Sequence, residues 1–219
     1  MRIKINIYYI LYYYFFQTMF NFQKKAQSAK PIVDSGTHWA YLISIVDMGT
    51  QETNFFDKET GQKQIKRLVE FTFEFPDFTH DFEGTQKPLI MSISFTLSMD
   101  EKAKLRATIC SMSGKKLSDN ELYAINLKEY LWKPYMVSVL HTYSEKHQKN
   151  FANIWTITSI PKWMTLPPMY NELRSFSLDN FSQDDFESLY KRQQEKIANS
   201  PEYIKIMKDK ETAEVDLPF

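Results

Sequence analysis

From His38 onward apolar and polar residues alternate with a period of two, the spacing that places side chains on opposite faces of a β-strand. "HWAYLISIV" is the first such run, and "DMGT" ends it. In "LVEFTFEFP" Val69, Phe71, Phe73 and Phe75 fall on one face and Glu70, Thr72 and Glu74 on the other, with Pro76 closing a half-buried strand. "KPLIMSISFTLSM" repeats the alternation, setting Leu89, Met91, Ile93, Phe95 and Leu97 against Ser92, Ser94, Thr96 and Ser98. Two long strands of this kind predict a curved antiparallel sheet. The rhythm then turns helical: "EKAKLRATICSM" carries Leu105, Ile109 and Met112 at helical spacing, behind a capping-box pair at Ser98 and Glu101 and before a stop at Gly114. Ser118 and Glu121 repeat the cap for a second helix ending near Tyr130. "YMVSVLHTYS" and "NFANIWTITSI", joined by the polar "EKHQK", complete the series as two strands.

Three strands, a helical connection and two strands make the layout of a five-stranded OB-fold, a small, partly open barrel, over residues 31–166. Other small β-barrels and α+β sheets share that count and stay open. The prolines of "IPKWMTLPP" mark a boundary, after which residues 167–219 form a helical extension and tail. Residues 182–198 have an amphipathic helical pattern, with Phe186, Leu189, Tyr190 and Ile197 apolar. Ser200 and Pro201 open a further helix as N-cap and first helical residue. From Asp209 the chain is polar and acidic and is expected to be disordered. Residues 1–30 are an N-terminal extension. Its apolar run from Ile7 to Phe16 is well short of the roughly 20 residues that span a bilayer, and no small-residue cleavage site follows it, although Arg2 and Lys4 give a positive start. Residues 1–18 read as an upstream region translated from a misplaced start, with Met19 as the natural one; a membrane or signal element is the alternative.

Among 219 residues, Lys+Arg and Asp+Glu are equal at 27 each, so net charge predicts neither a nucleic-acid nor an acidic partner. The signs are segregated: Lys63, Lys66, Arg67, Lys87 and Lys102 to Lys116 are basic, whereas the last part is weighted toward acid. Cys110 is alone, which forbids an intramolecular disulfide and suits an intracellular, cytoplasmic protein. His38, His80, His141 and His147 are scattered without metal-ligand spacing, the five glycines form no phosphate loop, and the Asp184/Asp185 pair fits a solvated helix surface. No catalysis, cofactor or metal is expected.

Binding a single strand of nucleic acid needs cations that follow the phosphates and flat side chains on which bases stack. Trp39, Tyr41, Tyr143 and Trp155 are the candidate platforms, interleaved with Lys66, Arg67, Lys87, Lys146 and Lys149. The competing explanation is ordinary: large aromatics are core residues, and lysines near strand ends protect sheet edges.

The chain closes on Asp216-Leu217-Pro218-Phe219 behind Glu211 and Glu214. This ending resembles the C-terminal tip of bacterial single-stranded DNA-binding proteins, an acidic disordered tail finished by Asp-(Ile/Leu)-Pro-Phe. The resemblance implies docking on replication and repair enzymes, Phe219 in an apolar pocket and its carboxylate against a basic residue. The present tail is sparser in acid. A longer resemblance runs from Gly36 to Tyr203 through "GTHWAYLISIVDMGTQ", "FTFEFP", "FTLSMDEKAKLR", "GKKLSDNE", "SIPKWM", "FSLDNF" and "IANSPEY", and is to phage and prophage proteins taken to bind single-stranded DNA. One departure is Trp132 in "LWKP", where a Gly is expected before the Lys-Pro turn, so a different turn shape is anticipated. The function implied is coating and protecting single strands in replication, recombination or repair, and recruiting enzymes through the tip, with a homo-oligomer possible and no membrane. The alternative is a small β-barrel adaptor that binds protein alone.

Overall fold

The computed structural model describes residues 31–161, 163–164 and 166–215. The expectations about residues 1–18 and about the Asp216 to Phe219 tip lie outside the described residues. The chain is mainly β. Its elements are β1 (Gly36–Phe56), β2 (Lys63–Phe82), β3 (Thr85–Thr96), α1 (Lys104–Ser113), α2 (Asp119–Tyr123), a 3-10 turn (Leu127–Tyr130), β4 (Pro134–Ser144), β5 (Lys149–Ser159), β6 (Arg174–Phe176), α3 (Gln183–Glu187), α4 (Lys191–Ala198) and α5 (Pro201–Val215). The sheet runs in the order β3-β2-β1-β4-β5, with antiparallel neighbours throughout. β4 pairs with Gly36 to Tyr41 of β1, and the short parallel β6 takes over the same edge at Ser44 to Val46. β3 and β5, the ends of this path, come within 8 Å between Cα atoms. No ladder joins them among the described residues, so the sheet curls round without hydrogen-bonded closure.

The first two strands outrun their expected limits. β1 passes through "DMGT" by a register shift between Asp47 and Gly49. Gly49 has φ +67°, and a Cβ there would stand 2.5 Å from the Cβ of Ser200. The bulge therefore needs glycine twice over, for its backbone and for the approach of the C-terminal extension. β2 likewise continues past Pro76, which lies in the irregularity between Phe75 and Thr79, where a missing N–H breaks no ladder.

The core forms on the concave side of the sheet. Phe71, Phe73 and Phe75 point inward with Leu42, Val137 and Val139, and α1 brings Leu105, Ile109 and Met112 against them from beside β3 and β5. Phe71 meets Phe95 edge-on at 5.3 Å. The cap of α1 differs from expectation: Ala103 is the N-cap, and Ser98 instead accepts from the Asp100 amide in a local turn. Ser118 and Glu121 do form the predicted capping box, although α2 ends at Tyr123 and the 3-10 turn follows as a separate piece. Hydrogen bonds from Ser118 hold the Glu121 carboxyl at a pKa of about 2.

A second apolar cluster joins Val46 and Met48 to Phe176, Leu178, Phe186, Leu189 and Ile197, fixing the C-terminal extension on the convex side of β1. The predicted helix over 182–198 is two helices, α3 and α4, broken where Arg174 donates to the Ser188 carbonyl and lies 4.7 Å over the Tyr190 ring. α5 starts as expected, the Tyr203 amide donating to Ser200 Oγ at 3.3 Å. It runs on to Val215, so residues 209–215 are helical rather than disordered. A capped start and a run of good helix formers carry it past the point where apolar spacing ends.

The extension changes the environment of β2. Glu70, Thr72 and Glu74, expected on a solvated face, are 3%, 0% and 0% exposed. Glu74 accepts from the amides of Tyr170 (2.8 Å) and Asn171 (2.7 Å) and from Asn171 Nδ2 (2.7 Å). Glu70 accepts from Arg192 and Gln193. Asp47 accepts from the amides of Gly49 and Leu178 and from Arg67. From Val69 to Phe75 the strand is buried on both faces, and Glu70, Glu74 and Asp47 lie at three of the places where the extension meets β1 and β2.

Replacing Glu74 with Ala leaves three partly buried donors without the acceptor they share, and a loss of about 1–3 kcal/mol is expected. Glu74→Gln, which keeps one acceptor oxygen, should lose less. Chemical denaturation measures both; a Glu74→Ala protein as stable as its parent would contradict the role given to this carboxylate.

Candidate nucleic-acid interface

The β4–β5 hairpin reaches beyond the core. Val139 and Ile154 are its last opposed pair of buried apolar residues. Past them Leu140 faces Asn153, Thr142 faces Phe151 and Ser144 faces Lys149, and alternation sets these pairs on one side of the hairpin. The register shifts between Ser138 and Val139, opposite Thr156 and Ile154, so Trp155 is an extra residue with no partner across the ladder. A bulge of this kind re-aims a side chain. The Trp155 ring is 63% exposed.

Leu140, Thr142, Phe151, Asn153 and Trp155, with Lys104 from the first turn of α1, line an open groove of about 580 Å³. Its surface combines an indole, a phenyl ring and a leucine with a hydroxyl and an amide that can hydrogen-bond. Lys149 lies 4.7 Å over the Phe151 ring, which adds a cation at the rim. Lys146 is exposed in the turn joining the two strands, and Tyr143, 60% exposed, stands on the opposite side of the hairpin. Tyr143, Lys146, Lys149 and Trp155 are therefore brought together on one hairpin.

The remaining candidates are elsewhere. Trp39 is 8% exposed and meets Tyr41 edge-on at 5.8 Å, on the face of β1 opposite Ala40 and Leu42. Tyr41 is half-buried and donates its hydroxyl to the Pro167 carbonyl at 2.8 Å; burial, and then the charge of Glu74, raise the pKa of its phenol. Neither ring is a free platform: Trp39 is buried, and the Tyr41 hydroxyl is engaged by the chain leading into the extension. Arg67 is held by Asp47 and by Asp179 at 2.9 Å, and the bond to Asp47 foremost raises its pKa, so its charge serves the fold. Lys66 is exposed on β2 opposite Gln51, near a tip where Phe55, Phe56 and Ile65 are also exposed. Lys87 sits over Phe82 at 4.5 Å on the β2–β3 hairpin.

Leu140, Thr142, Phe151, Asn153 and Lys104 were not anticipated. A signal was present: after Val137 and Val139 point inward, Leu140 is an apolar residue on the outward phase of the same strand.

Among the described residues no group of His, Cys, Asp and Glu is placed to hold a metal ion, and no helix is long and apolar enough to cross a membrane. Comparison with protein-family models, curated proteins and solved structures finds no match in any of the three.

Proposed function

We propose that the chain is an OB-type single-stranded DNA-binding protein of phage or mobile-element kind, which coats and protects single strands and recruits partner enzymes through its C-terminal tip. The observation that carries this reading is the groove on the β4–β5 hairpin, where an exposed indole and phenyl ring lie beside Lys104 and Lys149. The sheet order supports it: β3-β2-β1-β4-β5, a helical connection between the third and fourth strands and a close approach of β3 to β5 are what a partly open five-stranded barrel requires. Stacking on flat side chains is indifferent to base identity, and phosphate neutralisation by lysines releases counterions, so the binding should tolerate any sequence and weaken with salt. The protein's work is then binding, in the cytoplasm, with no cofactor.

Titration with labelled oligo-dT at several salt concentrations tests this. The logarithm of affinity should fall linearly with the logarithm of salt, by a slope of about −0.7 for each phosphate contacted. Trp155→Ala should weaken binding by about 1–3 kcal/mol and leave thermal stability nearly unchanged. Equal affinity for duplex and single strand, or no binding at low salt, would reject the reading and favour the adaptor that binds protein alone.

The tip makes a separate prediction. Deleting Pro218 and Phe219 should leave folding and DNA affinity unchanged, since it removes no charge: Glu211, Glu214 and Asp216 stay, and the terminal carboxylate moves to Leu217. The same deletion should remove binding to replication or repair enzymes: burial of the aromatic ring contributes roughly 1.5–3 kcal/mol, and the terminal carboxylate about 1.5–3 kcal/mol more. A pull-down in which the truncated chain keeps such partners would show the ending to be coincidental.

A further inference from the structure

Trp132 has φ +76°, in the left-handed region that a bulky side chain occupies only at a cost. Glu83 and Gln148 also have positive φ, but each lies in the turn of a β-hairpin, where the geometry demands it. Trp132 is instead in the link between the 3-10 turn and β4. Its amide donates to the Leu42 carbonyl at 3.0 Å, and the Leu42 amide donates to the Lys133 carbonyl at 3.2 Å. These two bonds extend the β1–β4 pairing and lock the strained residue in place. The backbone is the one a glycine would adopt. The ring itself is 68% exposed, so it repays little of the strain by burial. Strain of this kind, held by the surrounding structure and not offset by packing, is concentrated at functional positions.

We infer that Trp132 is a second stacking platform for a base of single-stranded nucleic acid, at the far end of β4 from the groove. The inference rests on the nucleic-acid reading of that groove. An exposed indole on a pinned backbone, followed by the exposed Lys133, supplies the two things a single strand needs, a flat face and a cation. Its exposed chain neighbours Lys128, Glu129 and Lys133 are charged, and Lys and Glu are depleted from the centres of protein–protein interfaces. Between Trp132 and Leu140 lie Pro134, Met136 and Ser138, half-buried on the outward side of β4, the first two opposite Tyr41 and Trp39. Trp155 lies between the partners of Ser138 and Val139, so six to seven residues of strand at about 3.3 Å each set Trp132 roughly 21 Å from it, and Phe151, opposite Thr142, is farther still. A short oligonucleotide seated on Phe151 and Trp155 is used up in the groove and falls short of Trp132, whereas one long enough to pass this stretch reaches it.

The test uses the full chain and fluorescein-labelled oligo-dT of about 4 and about 16 nucleotides, the limits of site size for one such domain. Trp132→Gly and Trp132→Asn both accept the left-handed backbone and should melt within a few degrees of the parent. Both should bind the longer oligonucleotide at least about fivefold more weakly than the parent, and the shorter one equally well. If the parent binds and both variants bind the longer oligonucleotide as tightly, the inference fails and the groove reading stands. A parent that binds neither oligonucleotide overturns both. A variant equally weakened on the two lengths would show that Trp132 acts through the fold, and also overturns the inference.

Discussion

A carboxylate with no exposure to water holds this protein together across its sequence. Glu74 sits on the face of β2 away from the core and accepts hydrogen bonds from Tyr170 and Asn171, nearly a hundred residues later in the chain. A charge in such a place is tolerated only when its lone pairs are taken. The requirement therefore runs in both directions: the extension must cross at this point because Glu74 needs donors, and Glu74 must be acidic because the crossing chain presents N–H groups. Glu70 and Asp47 repeat the arrangement with Gln193 and Leu178. Between these polar fixings, the cluster around Val46, Met48, Phe176 and Ile197 supplies apolar area, and Thr50 and Glu202 tie α5 to the bulge at Gly49. At Glu202 burial pushes the pKa up, but the bonds from Thr50 outweigh it and hold the carboxyl below its ordinary value.

Covering that face decides where a ligand can go. Trp39, Tyr41 and Arg67 would be a plausible binding strip on a bare sheet, and all three are used internally by contacts with the extension or with β1. What stays open is the part of the sheet that the extension does not reach. The β4–β5 hairpin projects past Val139 and Ile154, and with no core beneath them Leu140 and Phe151 remain at the surface beside Trp155. An apolar groove edged by lysines is thus a consequence of the hairpin's length and of one bulge. The same restriction makes Trp132 notable, since it keeps a strained backbone and an open ring just beside the region where the extension meets β1.

Much of this was legible in the sequence where local rules decide the outcome. The period-two runs located the strands, Ser118 with Glu121 and Ser200 with Pro201 located helix starts, and the strand–helix–strand order suggested the sheet. The capping signal failed at Ser98, where a nearer partner, the amide of Asp100, takes the hydroxyl. Strand ends at "DMGT" and Pro76 were misjudged because bulges let strands pass residues that usually stop them. The alternation in β2 is blind to what covers the polar face: glutamates facing water and glutamates facing buried amides have the same period. The candidate platforms divided along that line. Trp155 and Tyr143 lie past the core's edge and are exposed, whereas Trp39 is buried beside Tyr41, whose hydroxyl is taken by Pro167, distant in sequence.

On the proposed reading, the extension closes the outer face of β1 and β2, and single strands are left the β4–β5 side. Amide hydrogen exchange of the full chain, with and without saturating oligo-dT, tests it most directly. The amides of residues 140–155 should slow on binding, while those of residues 69–75 and 167–178 should exchange slowly and at the same rate in both states. Slowing confined to residues 69–75, with faster exchange in 167–178, would mean that the strand displaces the extension and binds the face beneath it, and would contradict the claim.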